Sequence, residues 1–597
     1  MIHPKRQTNH GRVTGRGRRR RGRRLRFEPL ESRALLTVSV FEVNTFDDTV
    51  DIDPGDGKAA DADGYTSLRA AVMEANVLGG EHTILLKEGT YPLSIVGSDS
   101  PDGAHQTDLD IFADITVIGA GAENTTIDAQ GLFRIFQVHS NARLSLQRVT
   151  LTGGNVEGES DGGLFGGAVL TGGFLSVADS VLLDNFATNG GGAIFVSGLS
   201  ASALIERTTF ADNRSGDGGA LSSRSGSITV VDSLFQGNSA ADAGGAVSSM
   251  FAQYSITNST FSGNYVGSDA DSPSGTGGAI HNDGTMTLMH VTIADNRAGS
   301  GGGLHTTLPP EGGRPGGTTQ MTNSLIALNV ASSPDVADVS GAIGSGGGNL
   351  IGIFDGGSVH PTDLVGSVAS PLDPLLGPLA DNGGPTSTRA LLRGSPAIDA
   401  AVAADVNQDQ RGQPRPVGEA ADIGAYEVQP GDPGFNSPPV AVDDFFTLWA
   451  GEELTVDEES GVLANDSDPE DDPLTAVLFE GPQYGSLQLA ADGSFSYVPA
   501  IGFAGTDSFT YQASDGLLLS NLATVTLLVQ ARDDGIEIDI QPGDEDNKID
   551  LAEPWVTVAI LGSDTLDVTQ IDVDSLRFGA TGTENSIERG GKGGGRK

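Results

Sequence analysis

Gly277-Gly278-Ala-Ile-His-Asn-Asp-Gly-Thr-Met-Thr-Leu-Met-His-Val-Thr-Ile-Ala-Asp-Asn296 contains two short runs, 279–281 and 286–293, broken by Asn282-Asp283-Gly284. Both runs mostly alternate apolar with polar, which reads as strand, turn and strand rather than as a helical stripe. The phrase recurs along the middle of the chain. Ser/Thr-x-Phe/Leu/Ile-x-x-Asn closes on Asn155, Asn185, Asn213, Asn238, Asn264, Asn296 and Asn329, at intervals of 25 to 33 residues. Glycine pairs recur with it at Gly166-Gly167, Gly191-Gly192, Gly218-Gly219, Gly244-Gly245, Gly277-Gly278 and Gly302-Gly303. A fixed period in this range marks a solenoid, whose units bury their apolar faces only by stacking on neighbours. About 25 residues per turn, holding two or three short strands, predicts a right-handed parallel β-helix from about residue 89 to about residue 371. The seven Asn side chains are expected to stack along one edge as a structural ladder, each amide bonding to the turns above and below. The glycines supply corner conformations that other residues resist.

The chain has 597 residues, of which 85 are Gly, and no Cys. It is long enough for more than one domain, and neither disulfides nor thiolate metal sites contribute. Its charge is sharply divided. The first 26 residues carry 11 Lys/Arg and no acid, leaving 23 basic against 79 acidic side chains in the rest. Such a body repels nucleic acid and anionic membrane and attracts divalent cations. No run of 18 apolar residues exists, so no transmembrane helix is expected.

The basic head leads into Ala34-Leu-Leu-Thr-Val-Ser-Val-Phe41, which reads as an export region competing with a nucleic-acid arm. Phe27-Glu-Pro-Leu-Glu-Ser-Arg-Ala-Leu-Leu36 resembles the LEPLESR segment that opens many large planctomycete surface proteins. That resemblance implies an extracellular or cell-surface fate for the body that follows, and residues 1–37 are assigned to export and sorting.

Ser67-Leu-Arg-Ala-Ala-Val-Met-Glu-Ala-Asn76 is the best helix in the chain, with Ser67 as N-cap and Leu68, Val72 and Ala75 on one face. It also resembles the opening of bacterial β-helix proteins with a choice-of-anchor Q region. Their closing motifs are matched, in order, by Asn382-Gly-Gly-Pro-Thr-Ser-Thr-Arg-Ala-Leu-Leu392, Gly394-Ser-Pro-Ala-Ile-Asp399, Asp409-Gln-Arg-Gly-Gln-Pro-Arg-Pro416 and Asp422-Ile-Gly-Ala-Tyr-Glu427. The resemblance implies one unit over residues 38–428, with a helical N-terminal cap and a closing region. Where relatives carry a Cys pair this chain has Ala59 and Thr66.

Residues 429–439 read as a Pro-rich linker. Residues 440–530 hold about seven short alternating strands, the pattern of an Ig-like β-sandwich. Asn465-Asp-Ser-Asp-Pro-Glu-Asp-Asp-Pro473, Ala491-Asp-Gly-Ser-Phe-Ser-Tyr-Val-Pro499, Gly505-Thr-Asp-Ser-Phe-Thr-Tyr511 and Ser514-Asp-Gly516 resemble cadherin-like or bacterial Ig-like repeats of adhesins. Residues 531–597 look like a small, truncated β module with a Gly-rich tail.

Six amide or carboxylate side chains, Asn465, Asp466, Asp468, Glu470, Asp471 and Asp472, fall within residues 465–472, close to what a hard cation requires. The cadherin-like resemblance implies Ca2+ ligands at Asp466 and Asp468, with Asp515 brought in from a later strand. Asp471, in the same loop, completes the candidate set. A second acidic run, Asp51 to Asp63, reads as a solvated loop. Catalysis is weighed as well, because many β-helices are polysaccharide lyases or glycoside hydrolases. Asp184, Asp212 and Asp295 align at the residue before the ladder Asn, and His281 and His305 fall one coil apart on the outward side. No convergent acid–base set emerges from them. The expectation is a non-catalytic adhesion or scaffold protein that contacts surface proteins or polysaccharides, with a carbohydrate-active enzyme as the alternative.

Overall fold

The computed structural model describes residues 39–96, 108–157, 164–309, 316–332, 337–354, 356–357, 359–403 and 406–531, with the strands Ile538–Ile540 and Val558–Ile560. The basic head and all but those two strands of the C-terminal module lie outside the described residues. The chain divides into two compact units between Phe435 and Asn436.

In the first unit, each full coil passes through four strands, where the sequence suggested two or three. One coil runs Phe174–Ala178, Val181–Leu183, Phe186–Gly190 and Ile194–Val196 before Ser202–Glu206 opens the next. Equivalent strands of successive coils pair in parallel and build four sheets, numbered I to IV in coil order, of eleven, eleven, seven and nine strands. Sheet I already begins at Ser39–Glu42, paired with Glu81–Leu85. The rod therefore starts some fifty residues before the expected boundary, and sheet II ends on Leu364–Val365. Alternate residues point inward and stack coil on coil, as in the row Val177, Ile205, Val230, Ile256 and Leu288. The rings of Phe210, Phe235 and Phe261 lie parallel at 4.6 and 4.5 Å.

The corners explain the motif. One left-handed residue turns the chain from sheet II to sheet III: Gly153, Asp184, Asp212, Gly237, Gly263, Asp295 and Leu328 all have φ between 53° and 72°. Gly, Asp and Asn enter that region readily, whereas a leucine there, as at Leu328, does so at an energetic cost. At the entry to sheet IV the two glycines serve different ends. The first, as at Gly191 or Gly277, has φ near 70°. The second has no space for a side chain, because a Cβ on Gly245 would lie 2.1 Å from the Gly278 carbonyl oxygen of the next coil. By this register the last pair is Gly301-Gly302, one residue earlier than the spacing suggested.

The residue after the left-handed corner is the ladder position. Asn185 Nδ2 donates to Asn213 Oδ1 at 3.0 Å, and the same bond links Asn213 to Asn238, Asn238 to Asn264, Asn264 to Asn296 and Asn296 to Asn329 at 2.8–3.0 Å. Each of these oxygens also accepts the backbone N–H of the preceding Asn. Asn329 closes the row on Asp338. Asn155 stands outside it, because its register partner is Phe186. The ladder position of its coil is Gly154, whose N–H donates to Asn185 Oδ1. A second row is formed by the hydroxyls that open the motif. Ser180, Ser233 and Ser324 each accept a backbone N–H from the coil before, as Ser259 does from Ser233.

At the N-terminal end the helix Leu68–Leu78 is capped by Ser67, whose hydroxyl accepts the Ala70 N–H. The acidic run before it is folded rather than solvated. Asp51 and Asp61 are buried, Asp61 Oδ1 accepts the N–H groups of Asp63 and Tyr65, and Glu74 of the helix accepts those of Gly55 and Gly57.

The closing segment does not sit as a plug on the far end of the rod. It lies along the sheet II side, over coils from Asp232 to Leu325. Asn258 Nδ2 donates to Gln408 O, Thr260 Oγ1 to Gln410 Oε1, and Asn323 exchanges two bonds with Val402. Arg389 pairs with Asp295. Its motif residues converge on one buried polar core. Arg415 Nε meets Glu427 Oε2 at 2.9 Å, Arg411 Nε meets Asp409 Oδ2 at 2.8 Å, and the Arg411 guanidinium lies 3.7 Å over the Tyr426 ring.

The second unit is a two-sheet sandwich. Asp444–Trp449, Ala523–Gln530, Gly505–Ser514 and Thr475–Glu480 form one sheet in that order, and Leu454–Val456, Phe495–Pro499 and Gly485–Leu489 form the other. Phe495, Tyr497, Phe509, Tyr511, Val525 and Leu527 fill the space between them. Tyr497 satisfies its buried hydroxyl on Asp507 Oδ2 at 2.7 Å.

Candidate functional site

The acidic loop of the sandwich separates into two groups. Asp468, Glu470 and Asp472 bring carboxylate oxygens within 4.8 Å of one another. Alternation along 468–472 and the left-handed Asp471, at φ 60°, create that arrangement. Asp468 is 8 % exposed. Its Oδ1 accepts the N–H groups of Glu470 and Asp472, while its Oδ2 is buried and accepts no hydrogen bond. Glu470 in turn accepts the N–H and hydroxyl of Ser437. Next to Ser437, Asn436 donates to Asp515 Oδ2 at 2.8 Å and keeps its own Oδ1 buried without a donor.

Of the four residues expected from the sequence, only Asp468 belongs to this triad. Asp466 and Asp471 line the same hollow, but Asp466 is held by the Val442 N–H and the Tyr511 hydroxyl. It sits close enough to Asp444 that burial, and then the Asp466 charge, push the Asp444 carboxyl up to about 6. Asp515 accepts the N–H groups of Leu517 and Leu518 and the side-chain amide of Asn436, and it is not among the three carboxylates that converge. Glu470 and Asp472, in the loop but not in the expected set, come forward because the turn at Asp471 brings them alongside Asp468.

On the rod, the aligned acids do not converge with a base. Asp184 and Asp212 lie one coil apart, and burial followed by the Asp184 charge raises the Asp212 carboxyl. The next two positions of that column are Gly237 and Gly263, and Asp295 beyond them is engaged by Arg389. His281 and His305 stack with ring centroids 5.1 Å apart. They are partly buried rather than freely solvated. Burial, then the neighbouring His305, pushes the His281 imidazole down to about 4, and burial lowers His305 as well. Both are therefore neutral at pH 7.

The fold and site together describe a parallel β-solenoid joined in one chain to a β-sandwich with an acidic loop. Residues 436–531 match the family model of the bacterial cadherin-like domain, about a sixth of the chain. No curated protein matches the chain. Among solved structures it is similar to the crystal structure of pectate lyase Pel9A, at 14 % identity and a TM-score of 0.35, over 66 % of this chain and 97 % of that one. So low a score carries no argument about activity. Among the described residues, no helix is long and apolar enough to cross a membrane.

Proposed function

We propose that the protein is a non-catalytic, exported adhesion or scaffold protein of the cell surface. The rod spaces and displays, and the cadherin-like sandwich is stiffened by Ca2+. The choice-of-anchor and planctomycete resemblances and the basic head support export, and the cadherin-like match supports a surface role. The observation that carries the Ca2+ reading is the buried, hydrogen-bond-free Asp468 Oδ2 within its carboxylate triad. Buried carboxylate oxygens without partners are costly. A hard cation takes carboxylate oxygens, so the donor set fits. Asp468, Glu470 and Asp472 would hold it, and the ion would neutralise a loop whose like charges otherwise repel one another. The test of the function is a panel of acidic and neutral polysaccharides offered to the purified full chain. Absence of depolymerisation with Ca2+ present or chelated is expected. Turnover of any polymer would replace this reading with that of a polysaccharide lyase or glycoside hydrolase.

A further inference from the structure

The outward face of sheet IV changes character along the rod. Its middle column reads Asp110, Gln137, Leu170 and Phe195 over the first coils, then Ser222 and Ser248. Over those first coils, apolar rings gather where water would otherwise lie. The Phe165 ring packs 4.3 Å from Phe195, and the guanidinium of the exposed Arg224 lies 5.2 Å over Phe165. Facing them across a shallow hollow are Gln137 and His139. The half-exposed Phe112 backs His139, stacked on its ring at 4.1 Å.

The polar groups of the hollow are ordered by one another. His139 Nε2 meets Asp110 Oδ1 at 2.6 Å, and Arg134 bridges Asp108 Oδ2 and Gln137 Oε1 at 2.9 and 2.7 Å. Both acids are thus matched by an imidazole or a guanidinium. Arg224 has no carboxylate partner among the described residues, so the donors of its guanidinium remain available to an anionic ligand. That is notable in a chain of formal net charge −45.

We propose that this hollow binds an acidic polysaccharide, one built of uronic acid units. Apolar ring and leucine surfaces match the C–H faces of a pyranose. Gln137 and the Asp110–His139 pair present donors and acceptors for ring hydroxyls, and Ser140 and Ser197 add to them, beside the apolar surfaces of Phe165 and Leu170. The Arg224 fork suits a sugar carboxylate, because guanidinium binds carboxylate in two parallel hydrogen bonds. From the Asp110 strand to Arg224 spans four coil spacings, about 19 Å at about 4.8 Å each, room for a short run of sugar units rather than a single one. The proposal deepens the scaffold reading by giving the rod a ligand, and it is independent of Ca2+.

The experiment is affinity electrophoresis of the full-length chain, in chelator and at physiological salt, through gels containing polygalacturonate, alginate or neutral dextran. Retardation by a polyuronate and none by dextran is expected. A strongly acidic protein is repelled by a polyanion, so generic attraction cannot produce that result. Arg224→Ala should weaken retention at least tenfold, and Arg297→Ala, an exposed arginine on sheet III, should leave it unchanged. Unaltered melting of Arg224→Ala excludes misfolding as the cause. No retardation by either polyuronate, or equal retardation of Arg224→Ala, overturns the proposal and leaves the scaffold reading intact. Cleavage of the bound polymer would do the reverse, removing the non-catalytic reading while keeping the site.

Discussion

The side-chain amide of Asn329 donates to Asp338 Oδ1 at 2.9 Å, and the same oxygen accepts the Asn329 backbone N–H at 3.0 Å. A row of neutral amides thus ends on a carboxylate at the bottom of the rod. Burial outweighs these bonds and pushes the Asp338 carboxyl up to about 6. Asp217 and Asp232 are likewise raised to about 6 by burial.

A pH dependence follows directly. A carboxyl raised above its unfolded value near 3.8 binds its proton more readily in the folded state. Its penalty is present above pH 6 and is relieved as pH falls through the window from 6 to 4. For Asp338 the relief is at most about 3 kcal/mol, since one pKa unit is worth about 1.4 kcal/mol. Burial holds His281, His290 and His305 below the usual imidazole range, and they act in the opposite direction, so the comparison is with Asp338→Asn, in which they cancel. The Tm of the unaltered chain relative to Asp338→Asn should rise on acidification from pH 8 to pH 5, measured by calorimetry, and a difference that falls steadily over that range would contradict the assignment.

Within the ladder, Asn238→Ala removes the acceptor of two buried donors on Asn213 and two donors of its own. Leaving buried partners unpaired costs about 1–3 kcal/mol each in the worst case, so a loss of about 3 kcal/mol is expected in urea melts. Asn155→Ala should stay within about 0.5 kcal/mol, as a substitution away from such features does. Equal costs at the two positions would mean the ladder contributes little.

Leu328 stands at a corner that Gly or Asp fills in the other coils, with φ 63° and its side chain 41 % exposed. The left-handed region costs an ordinary L-residue about 1–2 kcal/mol, and Asn visits it far more readily. Leu328→Asn should raise stability by about 0.5–1 kcal/mol, visible as a higher urea midpoint with unchanged slope.

Arg415 and Glu427 are both fully buried in the closing segment. Removing one partner of such a pair costs about 3–5 kcal/mol because the other charge remains. Glu427→Gln should loosen the closing segment, read as faster amide exchange at residues 408–427, and Arg415→Met added to it should recover part of the loss. A double variant worse than the sum of the single ones would count against the pairing.

For the sandwich, binding at a hundredfold excess over Kd stabilises by about 2.7 kcal/mol. The transition of residues 436–531 in the full chain should move up in millimolar Ca2+ relative to chelator, and Asp468→Asn should abolish the shift. Persistence of the shift in Asp468→Asn would mean screening of an acidic surface rather than a site.

Much of the solenoid is legible in the chain because its corners are chemically narrow. One backbone N–H and one left-handed φ per coil admit only a few residue types, so Asn, Gly and Asp recur where the geometry recurs. Asn155 misleads because Gly154 and Asn155 fit the spacing equally well, and only strand register places Gly154 opposite Asn185. The four-strand coil is hidden because its sheet III strands are short and begin directly after the ladder Asn, as Phe186 does. In the acidic loop the sequence marks the place but not the grouping, which depends on the turn at Asp471. The rings of Phe112 and Phe165 lie just outside their strands, where alternation carries no information.

The closing segment joins positions far apart along the chain: Asn258 meets Gln408, 150 residues on, and Arg415 meets Asn258 across 157. A stack of like coils would ordinarily shed its end units one at a time, since each touches only its neighbours. Here the strap spans several coils at once, so none of them can unwind without first releasing it. During synthesis that fastening forms last, after every coil beneath it has closed. The segment thus works as a latch that engages only on a completed spool, and it gives a modular array the all-or-none character of a single domain.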